Sequence, residues 1–204
     1  MSAVLSEQVA YYRARAGEYD RWWLRQGRYD RGPDATRRWF DEADEVRASF
    51  DALPFDGAEV LELAPGTGLW TERLAARAHR VTAIDASEEM VEQCKRRLGA
   101  LADRVEFVLV DLFDWEPEQT YDGVVFCFWI SHVPRSRLDR FIAKVARALR
   151  PGGSVFFLDG RPEPTSTARD HVLPLDTELM VRRLDNGQEF RIIKNYSSVA
   201  ELKP

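Results

Sequence analysis

The sequence predicts an α/β fold, a mostly parallel sheet flanked by helices, and three observations carry that prediction. From residue 54 onward, short β-branched or aromatic apolar runs alternate with amphipathic stretches, the pattern of strands covered on both faces by crossover helices. Glycine- and proline-containing junctions separate the runs from the amphipathic stretches, where strand and helix must exchange. At 204 residues and 45% hydrophobic content, the chain suffices for one domain with a sizeable core.

The elements follow in order. Leu5 to Ala16 and Asp34 to Leu53 read as helices, separated by a loop containing Gly27, Tyr29, Gly32 and Pro33. In the second helix Trp39, Phe40, Ala43, Val46 and Phe50 share one face and are expected to face the core. Tyr11, Tyr12, Tyr19, Trp22 and Trp23 fall at less regular spacing and are candidates to cap a pocket. Expected strands are Glu59 to Leu63, Arg80 to Ile84, Val105 to Val110, Gly123 to Phe128 and Ser154 to Leu158. Leu69 to Ala78 and Ser87 to Leu98 form helices between them, the latter capped by Ser87 with Glu88 and Glu89 in its first turn. In Arg135 to Leu149, Leu138, Phe141, Ile142, Val145 and Leu149 make one apolar stripe, and Pro151-Gly152-Gly153 is expected to stop this helix before the next strand. Leu179 to Leu184 and Gln188 to Tyr196 flank Asp185-Asn186-Gly187, a hairpin signal with Asn-Gly supplying the positive φ of a primed turn. Ser198 then opens a capping box. The expected organisation is a single domain: a helical N-terminal lid region (1–53), a ligand-binding core (54–160) and a hairpin region (161–204).

Charge and cysteine usage narrow the function. A net charge of -5 disfavours a polyanionic partner, so nucleic acid is not expected. Cys94 and Cys127 lie in apolar segments without paired spacing, which argues against a disulfide framework or zinc site and for a reducing, cytoplasmic setting. No segment reads as a leader or a bilayer span, and no cluster of histidines and carboxylates suggests a metal.

Chemistry concentrates at the expected carboxyl ends of the strands. Glu62 precedes Ala64-Pro65-Gly66-Thr67-Gly68, a tight turn into a helix, common by itself. Asp85 ends the second strand, where a carboxylate meets ribose hydroxyls, and Asp111 with Leu112 ends the third. With these residues together, VLELAPGTGLWT resembles the first motif of the class I S-adenosylmethionine (SAM) methyltransferases, a Rossmann-like fold. VTAIDAS resembles their second motif, VLVDLFDW the third, YDGVVFCFWISHVP the fourth strand and its loop, and ALRPGGSVFF the following junction. The resemblance implies that Glu62, Ala64, Gly66, Thr67 and Gly68 hold the methionine part of SAM. It puts Asp85 on the ribose, Asp111 and Leu112 at the adenine, and Ala86, Met90, Cys127 and Phe128 among the other cofactor-binding residues. It also implies an N-terminal helix closing as a lid, with Tyr11, Tyr12 and Tyr19 near the sulfonium, where cation–π attraction helps. Two departures stand out: Ala64 replaces the family's usual glycine, tolerable with negative φ, and the family's last helix and two strands have no sequence to form them. Either the sequence is a truncated form or the hairpin completes a rearranged sheet; an incomplete sheet exposes an edge, with low stability or a partner expected.

A nicotinamide dehydrogenase is disfavoured because Thr71 stands where the dinucleotide fingerprint has its third small residue. The aromatic-rich Cys127-Phe128-Trp129-Ile130 lacks the base-methylating Asp/Asn-Pro-Pro pattern, and Cys127 has no neighbouring base to make it a nucleophile. Direct in-line transfer to a small-molecule acceptor remains, with a hydroxyl oxygen first among acceptors; a SAM-binding sensor and a small-amine N-methyltransferase are the alternatives. For a hydroxyl, His132 in the loop after strand four is the candidate general base. His171 is a second candidate and His79 lies away from the site. Arg182, Arg183, Arg191 and Lys194 give the hairpin a positive excess, and Asp159 and Arg161 lie at the binding edge.

Overall fold

The computed structural model describes residues 3–171 and 177–197. Three helices precede the sheet: α1 (Ala3–Arg15), α2 (Asp20–Trp23) and α3 (Pro33–Asp51). The expected loop between the long helices therefore contains α2 and a 3₁₀ turn at Gly27–Tyr29. Next come β1 (Glu59–Leu63), α4 (Thr71–Arg77), β2 (Arg80–Asp85), α5 (Glu88–Leu98), β3 (Val105–Leu109) and β4 (Tyr121–Cys127). The series continues with α6 (Arg135–Ala148), β5 (Leu149–Leu158), β6 (Leu179–Arg183) and β7 (Glu189–Ile193).

Five strands form one sheet in the order β3-β2-β1-β4-β5, every pair parallel. The chain starts in the middle, runs out to β3, then crosses back to β4. The crevice at the carboxyl ends of β1 and β4 is thus the switch point where such sheets bind ligands. Alternation in β1 sends Val60 to one face, with Phe50, Phe55, Trp70, Leu74 and Cys94 under α3 to α5. Leu61 and Leu63 go to the other, with Phe126, Phe141 and Val145 under α6. On α3, Ala43 and Phe50 are buried and Trp39 and Val46 pack at the margin, close to the expected face. Ser87 caps α5 by accepting from the Met90 amide at 3.2 Å.

Several boundaries differ for local reasons. Phe128 adopts φ 59° and ends β4 one residue early. Pro151-Gly152-Gly153 does not separate helix from strand, since β5 begins at Leu149 directly after α6. Tyr121 pairs with Leu149 and Gly123 with Ser154, so the Pro-Gly-Gly segment is absorbed as an irregularity within β5. The hairpin forms, but only Gly187 has positive φ (85°), and the Gly187 amide donates to Leu184 O. A three-residue loop of type I geometry with glycine last replaces the primed Asn-Gly turn.

The hairpin does not complete the sheet. β6 and β7 form a separate two-stranded antiparallel sheet that seals Met180, Leu184 and Ile192 against Tyr11 of α1. Among the described residues the outer edge of β5 is unpaired, and Val155 (40%) and Phe157 (43%) on that strand are exposed. The expected capping box at Ser198 lies outside the described residues. No described helix is long and apolar enough to cross a membrane.

Candidate functional site

The turn after β1 carries the first part of the site. Gly66 and Gly68 take φ 57° and 86°, and a Cβ on Gly68 would lie 2.7 Å from Cys94 Sγ, so helix α5 approaches the turn only because that residue is glycine. Ala64 also takes positive φ, 55°. The expectation of negative φ there is thus corrected: the turn demands a left-handed residue and alanine bears the strain.

Carboxylates mark the strand ends as expected. Asp85 accepts from the Gly66 amide at 3.2 Å and the Ser87 amide at 2.9 Å, binding the β1 and β2 turns together. Burial outweighs those bonds and lifts its pKa to about 6. Asp111 accepts from the Phe113 amide at 2.9 Å, and Leu112 beside it is buried. Glu62 is 2% exposed, with Oε2 unpartnered among the described residues. Desolvation pushes its pKa to about 8, against the pull of the neighbouring Thr71 hydroxyl.

Two cavities lie here and share one lining residue. A narrow cleft of about 40 Å³ is lined by Ala64, Asp85, Ala86, Asp111 and Leu112 from the strand ends, and by Leu5, Gln8, Val9 and Tyr12 from α1. A larger one of about 540 Å³ lies between the N-terminal helices, the loops after β4 and β5, and the hairpin. Its wall includes Tyr12, Tyr19, Trp22, Trp39, Phe128 and His132. Tyr12 belongs to both. A cavity of that size suits a small organic ligand.

Other expected residues are placed differently. Tyr11 lines neither cavity; its ring is sealed between α1 and the hairpin. Tyr19 has a cation on its ring already, the Arg15 guanidinium 4.7 Å from the centroid. Thr67 is buried and donates to Asp20 of α2 at 2.6 Å, while Arg97 bonds both Asp20 and the Thr67 carbonyl, so this residue ties α2 to the turn. Met90 is buried in α5, and Cys127 is half-buried with its thiol pushed up by desolvation. Neither lines either of the two cavities.

His132 is 4% exposed and fully engaged. Its Nδ1 lies 2.7 Å from Ile193 O, which can only accept, so Nδ1 carries the proton and Nε2 accepts from the Tyr12 hydroxyl at 2.8 Å. Burial, reinforced by Lys194, holds the imidazole neutral with a pKa of about 3. His171 contacts Arg182 (2.6 Å) and Arg28 (3.3 Å), and burial with those charges holds it near 3 as well. It does not line the large cavity. His79 is exposed.

The hairpin cations divide by strand alternation. Arg183 pairs with Glu189 and Arg191 with Glu7 on the surface, whereas Arg182 and Lys194 line the large cavity with Asp159 and Arg161. Sequence patterning missed Arg15 and Arg25, which line the same cavity and are 7% and 4% exposed. Their only signal was a charge on the aromatic-rich face of the first segment. Gln8 was also missed: it donates to His132 O (3.2 Å) and accepts from the Ile193 amide (2.9 Å), locking α1 across loop and hairpin.

Comparison with known proteins agrees with this arrangement. A methyltransferase-domain family model matches residues 60–153. A structure of DhpI with SAM and HEP is 37% identical, with a TM-score of 0.77, covering 99% of this chain and 86% of that one. A DhpI–SAH complex gives 36% identity and a TM-score of 0.78, over 99% and 85%. A demethylmenaquinone methyltransferase of Clavibacter sepedonicus is 34% identical over 69% of this chain. A ubiquinone biosynthesis O-methyltransferase of Dechloromonas aromatica is 27% identical, also over 69%. The chain spans 57% and 66% of the lengths of these two relatives. The glycine turn, the carboxylates at the ends of β2 and β3, the sheet order and these likenesses agree: the chain belongs to the class I SAM-dependent methyltransferases.

Proposed function

We propose that the protein transfers the methyl group of SAM to an oxygen of a small molecule bound in the 540 Å³ cavity. The observation that carries this reading is that Tyr12 lines both cavities, with the family's cofactor residues around one and a ligand-sized space in the other. In this reading Asp85 accepts from the ribose, Asp111 and Leu112 receive the adenine, and the turn from Ala64 to Gly68 carries the methionine. The unpartnered Glu62 Oε2 fits the ammonium of that methionine, whose charge stabilises the ionised carboxylate. SAM supplies an activated methyl on its sulfonium, so the protein's task is alignment and exclusion of water. The O-methyltransferase among the relatives supports oxygen as the acceptor atom.

His132, expected as the general base, takes a different part here. Its Nε2 is held by the Tyr12 hydroxyl and its Nδ1 by Ile193 O, so it fixes the Tyr12 side chain that lines both cavities. The narrow cleft holds little more than one water-sized volume, so an adenosyl group requires α1 to swing outward.

Calorimetric titration with SAM and SAH tests the reading, together with transfer of labelled methyl to a panel of oxygen acceptors. Asp85→Ala is expected to weaken SAM binding by about tenfold or more, the loss of charge-assisted hydrogen bonds at about 1.5–3 kcal/mol each. Unchanged affinity in a folded variant contradicts the ribose assignment.

A further inference from the structure

The large cavity is far more cationic than the chain. Arg15, Arg25, Arg38, Arg161, Arg182 and Lys194 line it against three carboxylates, in a protein of net charge -5. Lys194 is matched by Asp159 at 3.3 Å. Among the described residues, Arg15, Arg25 and Arg182 form no ion pair with a carboxylate. Arg25 is 4% exposed, and among the same residues its Nε and Nη1 have no hydrogen-bond partner; Arg182 Nε is likewise unpartnered there. Aromatic rings fix the first two guanidinium groups, Arg15 at 4.7 Å from the Tyr19 centroid and Arg25 at 4.6 Å from Trp39. Burying unpaired charges and unused donors is strongly unfavourable unless something answers them.

The buried proton acceptors of the same cavity are already engaged, and its other two carboxylates, Glu42 and Glu163, are exposed. His132 is bonded at both nitrogens. Asp159 accepts from the Ser131 amide at 2.9 Å and from Lys194. Burial raises the phenols of Tyr12 and Tyr19 above their ordinary value, so neither supplies a base at neutral pH. Among the buried groups donors are in excess and free bases are lacking, the reverse of what a neutral alcohol needs.

From this geometry we infer that the methyl acceptor is the anion of a small organic oxyacid, held by Arg15, Arg25 and Arg182, and methylated on an oxygen already ionised in solution. A lone pair on that oxygen forms the new C–O bond as the methyl–sulfur bond breaks and its pair stays on sulfur. No proton moves, and the products are a methyl ester and a neutral thioether. The ester has one negative charge fewer than the substrate, which weakens its hold on the arginines and favours release. The inference rests on the methyl-transfer reading. Carboxylate and phosphoryl acids share the required chemistry, because guanidinium donors match either.

The test titrates the full chain with SAH, then the SAH-loaded protein with acetate, inorganic phosphate and neutral acetamide. At least one anion is expected to bind ten times more tightly than acetamide. Arg25→Gln and Arg182→Gln are each expected to weaken that anion tenfold or more, with SAH affinity within twofold of wild type. Because each variant removes an unpaired charge, melting temperatures are expected to stay level or rise, whereas arginines that merely brace the fold would lower them. Labelled methyl transfer to carboxylic and phosphoryl acids then tells the two classes apart. SAH binding without anion preference, or faster methylation of neutral alcohols than of acids, overturns this inference alone. Failure of SAH to bind overturns the methyl-transfer reading and the inference with it.

Discussion

Glu62 holds a carboxyl group where the sheet end is most thoroughly closed to water, with a pKa raised from 4.5 to about 8. Between those values the folded protein holds a proton that the unfolded chain releases, so this residue's contribution to stability falls as pH rises. Glu62→Gln is therefore expected to raise the melting temperature at pH 8 relative to wild type, with little change at pH 4.5, and to weaken SAM binding. Equal pH dependence of melting in the two proteins would contradict the burial account. Ala64→Gly tests the turn. Relief of left-handed strain, about 1–2 kcal/mol, opposes the extra chain entropy of glycine, about 0.5–1 kcal/mol, so thermal unfolding is expected at the same or a slightly higher temperature. At this scale Asp85, Asp111 and the glycines were legible because each sits in a motif at a strand end. The φ of Ala64 was not, since a single alanine carries no sign of its backbone angle. Nor were the partners of His132, because Tyr12 and Ile193 reach it from 120 and 61 residues away.

The elements fall into those that local pattern dictates and those that distant contacts place. The parallel strands and α6 follow from apolar runs and one helical stripe, and the structure returns them with shifts at their ends. The hairpin was legible from Asn186-Gly187, but its seat was not, because that depends on the fit of Tyr11 to Met180, Leu184 and Ile192. Pro151-Gly152-Gly153 was misjudged for a similar reason. Proline and glycine signal a break in a helix, yet β4 pairs on both sides of them. Helix α1 depends most on long-range contacts, and Gln8 makes two of them. Gln8→Ala removes both hydrogen bonds, each worth about 0.5–1.5 kcal/mol net. Amide exchange is expected to quicken across residues 3–15 and in β7 while β1 and β4 keep their protection. A uniform change across the molecule would mean that α1 does not open by itself.

For the whole molecule, the buried titrating groups set opposing limits on stability. His132 and His171 stay neutral to about pH 3 in the folded state against 6.5 ordinarily, so the unfolded chain binds more protons below pH 6.5 and acid destabilises the fold. Asp85 and Glu62, with values raised to about 6 and 8, act in the other direction as pH rises. Thermal unfolding followed from pH 4 to 9 is expected to show greatest stability near pH 6.5 and a decline toward pH 8. A melting temperature still climbing at pH 8 would show that other groups dominate. The distribution of tryptophans across the molecule has an optical consequence. Trp129 borders the narrow cleft, Trp22, Trp23 and Trp39 border the large cavity, and Trp70 is buried in the core. Intrinsic fluorescence can therefore resolve two binding events without a label: replacing Trp129 by phenylalanine would remove the signal from the cleft, leaving the indoles of the large cavity to follow its ligand by emission alone.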